Sequence, residues 1–254
     1  MGIAIVTGAS SGMGREFVLA LDREAQFEEI WVIARRRERL EELEGQTRAK
    51  LRPLAMDLTR EENWDRFAAL LAERKPRVDV LVNAGGFGLF RPFEGNPLSE
   101  QLRMIDLNDK ALTAITYHAL PYLGTGSRIF NIGSLSSFQP VPYIGVYAAS
   151  KAYVLSFSRA LNVELKPRGI RVLAVCPGWV RTEFFDTAVR DETIVYYNRW
   201  YEPEQVVGHA LRDMRRGKDV SVCGLPVRLQ VLAVKLLPHK LVMAIWCRQQ
   251  KKPV

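Results

Sequence analysis

The sequence predicts one doubly wound α/β domain, and three observations lead to it. Short β-rich runs alternate along the 254 residues with longer helical stretches. Several of those runs, Val78-Asp-Val-Leu-Val82 among them, are almost continuously apolar, as suits a parallel sheet covered by helices on both faces. The length permits one large domain or two small ones, and no repeat, low-complexity linker or shift of composition divides it.

Taken in order, strands are expected near 3–7, 29–34, 51–56, 78–83, 127–133, 170–176 and 219–223, a mainly parallel seven-stranded sheet. Helical patterns lie between them at 15–23, 37–43, 61–73, 101–122, 146–165 and 203–215. The first strand, Ile3-Ala-Ile-Val6, follows Met1 at once, so no secretory signal is expected, and Val6 stands where a myristoylation signal prefers Ser or Thr. After the last strand, Leu225 to Trp246 is strongly apolar but is broken by Pro226, Pro238, Arg228, Lys235, His239 and Lys240. A membrane-spanning helix needs roughly 20 mainly apolar residues, so two short amphipathic helices are expected instead. We therefore assign 1–224 to the main domain and 225–254 to a helical extension of it. That extension caps the domain, packs on another subunit, or makes peripheral contact with a membrane surface.

The net charge of +8 is spread over many segments, with no basic stripe interleaved with stacking aromatics, so no nucleic-acid partner is expected. Cys176, Cys223 and Cys247 stand far apart, without a CxxC pair or a Cys/His cluster. No disulfide framework or metal site follows, and a reducing, cytoplasmic location is the expectation.

Chemistry concentrates first in Thr7-Gly8-Ala9-Ser10-Ser11-Gly12-Met13-Gly14, between the first strand and the first helix. Glycine permits close backbone approach, and a helix N-terminus offers unpaired N–H groups to a pyrophosphate. The spacing is Gly-x-x-x-Gly-x-Gly, and its βαβ context favours a Rossmann-type dinucleotide site over a plain tight turn. At the end of the second strand, Ala34-Arg35-Arg36 has no acid to meet a ribose hydroxyl; its guanidinium groups suit a 2′-phosphate, which points to NADP(H). Tyr147 and Lys151 lie four residues apart, about one helical turn, so both project from one face. The nearby ammonium is expected to lower the tyrosine pKa and to make it a proton donor or acceptor. Ser134 lies upstream in a small, polar segment, with Ser136 and Ser137 as rivals.

On these residues the chain resembles the short-chain dehydrogenases/reductases across nearly its whole length. The matching elements are the Thr7–Gly14 loop, Asp57, Asn83-Ala84-Gly85, Asn108, Ser134, the Tyr147/Lys151 pair and Pro177-Gly178, in the family's order. The resemblance implies that Tyr147 moves the proton at the substrate oxygen and Ser134 hydrogen-bonds that oxygen. It further implies that Lys151 holds the nicotinamide ribose and that Asn108 braces a water linking Lys151 to solvent. Gly8, Ser10, Ser11, Gly12, Met13 and Gly14 would cradle the phosphates, and Arg35 with Arg36 would meet the 2′-phosphate. Asp57 and Leu58 would face the adenine, Asn83, Ala84 and Gly85 the adenosine ribose, and Pro177, Gly178, Val180 and Thr182 the nicotinamide. Two alternatives stay open: Asn108 as a residue bonding backbone within a helix, and Asn83 as a brace of the sheet that touches no ligand.

The tail departs from many members and is loosely similar to the bacterial D-alanine-transfer-associated reductases and related ketosteroid and ketoacyl reductases. That departure speaks against the family's common four-helix tetramer, and a homo-oligomer of two chains is expected. The aromatic segment at about 182–202 reads as a mobile lid, with Phe87, Phe90 and Phe138 through Tyr143 as the opposite wall. The expected activity is hydride transfer between NADP(H) and a ketone or alcohol, here a bulky apolar one, steroid-like or acyl. The alternatives are a nucleotide-sensing protein without chemistry and a reductase that works at a membrane surface through its tail.

Overall fold

The computed structural model describes residues 2–253. Strands β1 (Ile3–Thr7), β2 (Glu29–Ala34) and β3 (Lys50–Ala55) alternate with helices α1 (Gly12–Glu24), α2 (Arg37–Glu41) and α3 (Glu61–Arg74). Then come β4 (Val78–Asn83), α4 (Leu98–Ile105), α5 (Leu112–Ala119), β5 (Leu123–Ile132), α6 (Gly145–Leu165) and β6 (Arg171–Val175). The chain continues through β7 (Trp179–Val180), α7 (Phe184–Ala188), β8 (Trp200–Tyr201), α8 (Pro203–Arg215) and β9 (Val220–Ser221), and ends in α9 (Leu225–Leu236) and α10 (His239–Gln249).

Seven strands form one sheet in the order β3-β2-β1-β4-β5-β6-β9, all paired in parallel, as the doubly wound Rossmann-type expectation requires. Alternation along each strand builds the two faces. Ala4, Val6, Val32, Val82 and Phe130 pack against Phe17 and Leu21 of α1 and Val207 and Met214 of α8. Ile5, Trp31, Ile33, Leu81 and Ile129 pack against Phe67 of α3, Ile115 of α5 and Leu161 of α6.

Strand order reverses between β1 and β4, which opens a crevice at their carboxyl ends. The register sets what meets there: Thr7 pairs with Asn83, and Asn83 with Asn131. The loops after β1, β4 and β5 therefore leave the sheet side by side. A third apolar cluster, around Phe90, Val141, Ile144, Tyr147 and Ile194, collects side chains from six segments separate from the two sheet faces.

Two elements differ from the sequence reading. The helix expected over 101–122 is α4 and α5 joined by a π-helical turn at Asp106–Ala111, a register change that hydrophobic periodicity does not reveal. Strand β5 begins at Leu123, before the expected 127, because Gly124-Thr-Gly126 carries no apolar signal yet joins through a register shift opposite Val78/Val80. The C-terminal extension forms the two expected short helices, and among the described residues no helix is long and apolar enough to cross a membrane.

Candidate active site

The crevice is one cleft of about 510 Å³. Its nucleotide end is made of backbone. Thr7 Oγ1 accepts from the amides of Ala84 and Gly85, both at 3.1 Å, and ties the end of β1 to the loop after β4. Gly8 has φ 66°, and a Cβ there would stand 2.7 Å from the carbonyl of Ala84. A Cβ on Gly14 would collide with the Gly8 carbonyl oxygen. Ser11 precedes α1 without a side-chain cap, so the leading N–H groups of the helix are left for an anion in the cleft. This donor set, closed to any larger side chain, fits a pyrophosphate. Gly8, Ser10, Ser11, Gly12, Met13 and Gly14 all line the cleft.

Arg35 and Arg36 also line it. Arg35 is exposed, whereas Arg36 donates to Ser10 Oγ at 3.2 Å and pairs with Glu183 at 2.8 Å. Glu183 falls in the expected lid, with no role assigned there to its carboxylate; it bridges from the segment after β7 to the arginines after β2. Asp57 and Leu58 line the same end. Burial alone would raise the Asp57 carboxyl, but hydrogen bonds from Thr59 and the charges of Arg103 and Arg35 hold it below its ordinary value. Arg103, 3.6 Å from Asp57, gave no sequence signal because only the fold brings α4 over the crevice.

The polar centre lies where β5 ends and α6 begins. Tyr147 and Lys151, one turn apart, are both buried and both line the cleft. Ser134 Oγ accepts from Ser136 N at 3.2 Å and caps the short turn Leu135–Phe138. Of its rivals, Ser137 is buried and donates to the Lys151 carbonyl at 2.7 Å, a support for α6, whereas Ser136 lines the cleft. Lys151 Nζ donates to the Ile132 carbonyl at 2.8 Å and stands 5.8 Å from the centre of the Tyr147 ring.

This arrangement corrects the expected tyrosine pKa. Burial pushes the Tyr147 phenol up to about 12, with the Ser134 hydroxyl pulling the other way. Burial also pulls Lys151 down to about 8, opposed by the charge of Asp109. Desolvation dominates at the phenol, while the Lys151 ammonium is turned to the Ile132 carbonyl. Asp109, absent from the sequence reading, is itself driven by burial up to about 7, against the pull of Lys151.

Asn108 and Asn83 do not line the cleft. Asn108, in the π-helical turn, accepts from Phe87 N at 3.1 Å and donates to Phe87 O and Ser150 Oγ, both at 3.0 Å. It thus braces the loop after β4, not its own helix, and flanks Gly86 together with Lys151 Nζ. The Asn83 side chain lies beneath the cleft, donating to Thr116 Oγ1 at 2.9 Å and Asn131 Oδ1 at 2.8 Å. It is the brace of the sheet that the sequence left open; Ala84 and Gly85 supply the lining.

Pro177, Gly178, Val180 and Thr182 lead from the polar centre to an aromatic chamber. Phe90 packs edge-on against Tyr147 and Phe184 at 5.6 and 5.9 Å and approaches Trp179 at 6.1 Å. Ala188 and Ile194, in the expected lid, are buried, and Ala188 O accepts from Phe90 N at 2.9 Å. Residues of the extension complete the chamber: Gln230, Trp246 and Gln249 line the cleft. Trp246 Nε1 donates to Pro142 O at 3.0 Å, and Gln250 Oε1 accepts from Val195 N and Tyr196 N at 2.9 and 3.0 Å. Capping was one of the roles the sequence left open for this tail, without naming the residues that would do it; a tryptophan within an apolar run does not say which way it faces.

Comparison with known proteins agrees with this geometry. The profile of the short chain dehydrogenases matches residues 2–193. Sulfoacetaldehyde reductase 2 of Chromohalobacter salexigens is 37% identical over 188 residues, which cover 72% of this chain and 74% of that protein. A short-chain dehydrogenase from Sphingobium yanoikuyae, solved in complex with NADPH, superposes with a TM-score of 0.79 at 30% identity, covering 96% of both chains. The bulky-bulky ketone specific alcohol dehydrogenase from Comamonas testosteroni gives 0.76 at 26% identity over 95% of this chain and 94% of that one. A match from Gly2 to Thr193 takes in the cradle, the polar centre and six of the seven strands of the sheet that carries them, and the chain is an oxidoreductase of the short-chain dehydrogenase family.

Proposed function

We propose that the protein is an NADP(H)-dependent carbonyl reductase for bulky apolar ketones, reversible as an alcohol dehydrogenase. The observation that carries this reading is the meeting of a phenol, a hydroxyl and an ammonium where the phosphate cradle opens into the aromatic chamber. Gly8 through Gly14 would hold the pyrophosphate, Arg35 and Arg36 the 2′-phosphate, and Lys151 the nicotinamide ribose. Bound NADPH supplies the hydride for the carbonyl carbon.

Tyr147 gives its phenolic proton to the carbonyl oxygen as charge builds there. A phenol held near 12 stays protonated and ready as an acid across the neutral range. Ser134 donates to the same oxygen and orients it. Lys151 offsets the phenolate left behind, in a buried setting where charge counts for more than in water. Asn108 acts from behind, fixing the Phe87 backbone next to Gly86, which Lys151 Nζ also flanks.

The apolar substrate class rests on the chamber of Phe90, Trp179, Phe184, Phe185 and Trp246. Arg190, which also lines the cleft, is engaged with Glu100 at 2.9 Å and would have to be released to greet an anion. The relatives' names point both ways, to a small sulfonated aldehyde and to bulky ketones; the chamber favours the second for this chain. The proposal takes the protein as a cytoplasmic homodimer whose extension belongs to the same domain as the site. The test is a panel of steroid, acyl-ester, small aromatic and sulfonated carbonyl compounds scored by oxidation of NADPH and of NADH. Turnover of the bulky apolar compounds with NADPH is expected; turnover confined to the small anion, or equal use of NADH, contradicts the substrate or the cofactor reading.

A further inference from the structure

Helix α9 of the extension is apolar on both sides. Val227, Val231 and Val234 are buried against the domain. Along another face, Leu225, Leu229, Leu232 and Leu236 recur every three or four residues and are 67%, 58%, 54% and 76% exposed. Leu241 and Ile245 of α10, one turn apart, are exposed as well. A surface helix normally turns charge to water on that side, and clustered apolar exposure marks an interaction surface.

Charge selects the occupant. Residues 225–254 carry six Lys/Arg and no Asp or Glu. Arg228 reaches a carbonyl and a histidine, Lys235 lies over the Phe138 ring and Lys252 over Tyr143; among the described residues none of the six meets a carboxylate. A second copy docked by two-fold symmetry would set this basic surface against itself. An anionic lipid surface complements both the leucines and the charges. With 12 and 11 residues, α9 and α10 are too short to span a bilayer, for which about 20 are needed, and suit the plane of its interface.

We propose that α9 and α10 dock this protein on an anionic bilayer surface, with the leucine stripe at the boundary of headgroups and acyl chains. The two helices also contribute Gln230, Trp246 and Gln249 to the cleft, so docking holds the substrate end of the site close to the lipid in which apolar ketones dissolve. Only this last consequence rests on the reductase reading.

The test is co-sedimentation of the full chain, without nucleotide or substrate, with vesicles of phosphatidylglycerol and phosphatidylcholine and with vesicles of phosphatidylcholine alone. Binding to the anionic vesicles is expected, weakened several-fold by about 0.5 M salt. Leu229→Asp with Leu232→Asp should lower it at least about tenfold, and Lys240→Glu with Lys251→Glu several-fold, with far-UV circular dichroism unchanged. No vesicle binding, equal binding to neutral vesicles, or full binding by the leucine variant overturns the proposal. Concentration-dependent dimers that the leucine variant abolishes, without vesicle binding, would assign the surface to a second copy. Vesicle binding needs no turnover, so its failure leaves the reductase reading standing, and an inactive protein that binds vesicles leaves the docking standing.

Discussion

The two ends of the cleft are built differently. The nucleotide end is mostly backbone: a glycine loop, an uncapped helix start and two strand ends tied by Thr7. The chamber end is mostly side chains, brought from the Phe90 loop, α6, the segment after β7, and the last helix. Backbone tolerates little change where it approaches a ligand, whereas a wall of side chains can be re-cut one residue at a time. The difference explains how one scaffold keeps a cofactor while exchanging substrates.

Substitutions can break that contrast. The largest effect is expected from Gly8→Val, which combines φ 66° with a clash against the Ala84 backbone. Nucleotide binding followed by fluorescence titration should vanish; retention within about tenfold would show that the loop is not a rigid cradle. Trp246→Ala should act only at the other end. Loss of the ring and of its bond to Pro142 should raise KM for a bulky ketone about tenfold, ~1.4 kcal/mol, and leave nucleotide affinity unchanged. Weakening of both to the same degree would join the two ends into one unit.

The smallest effect is the most discriminating. Glu183 pairs with Arg36 across the seam, with both side chains nearly half exposed, so the contact is worth at most ~1 kcal/mol. Glu183→Gln frees the guanidinium and should tighten NADPH by up to about fivefold without changing NADH. An equal change for both nucleotides would mean that Arg36 does not meet the 2′-phosphate.

The contrast also explains what the sequence made legible. The glycine loop, the Arg35-Arg36 step and the Tyr147/Lys151 turn are local, and local spacing reports local geometry. The parallel sheet followed from apolar runs for the same reason. Arg103, Glu183, Gln230 and Trp246 reach the cleft only through tertiary packing and carried no local mark. Asn83 shows the reverse: it sits in a recognisable position, yet its side chain turns inward to Thr116 and Asn131. Burial likewise reversed the tyrosine pKa that helical spacing alone suggested, since spacing places two groups together without saying how dry their surroundings are.

Tyr147→Phe tests the central claim most directly. It removes one oxygen from a ring packed by Phe90 and Phe184 and leaves the cradle untouched. NADPH binding should be unchanged by titration and kcat for ketone reduction should fall ~10²–10⁴-fold, the usual worth of a positioned acid. A variant that binds NADPH and turns over at the wild-type rate would contradict it.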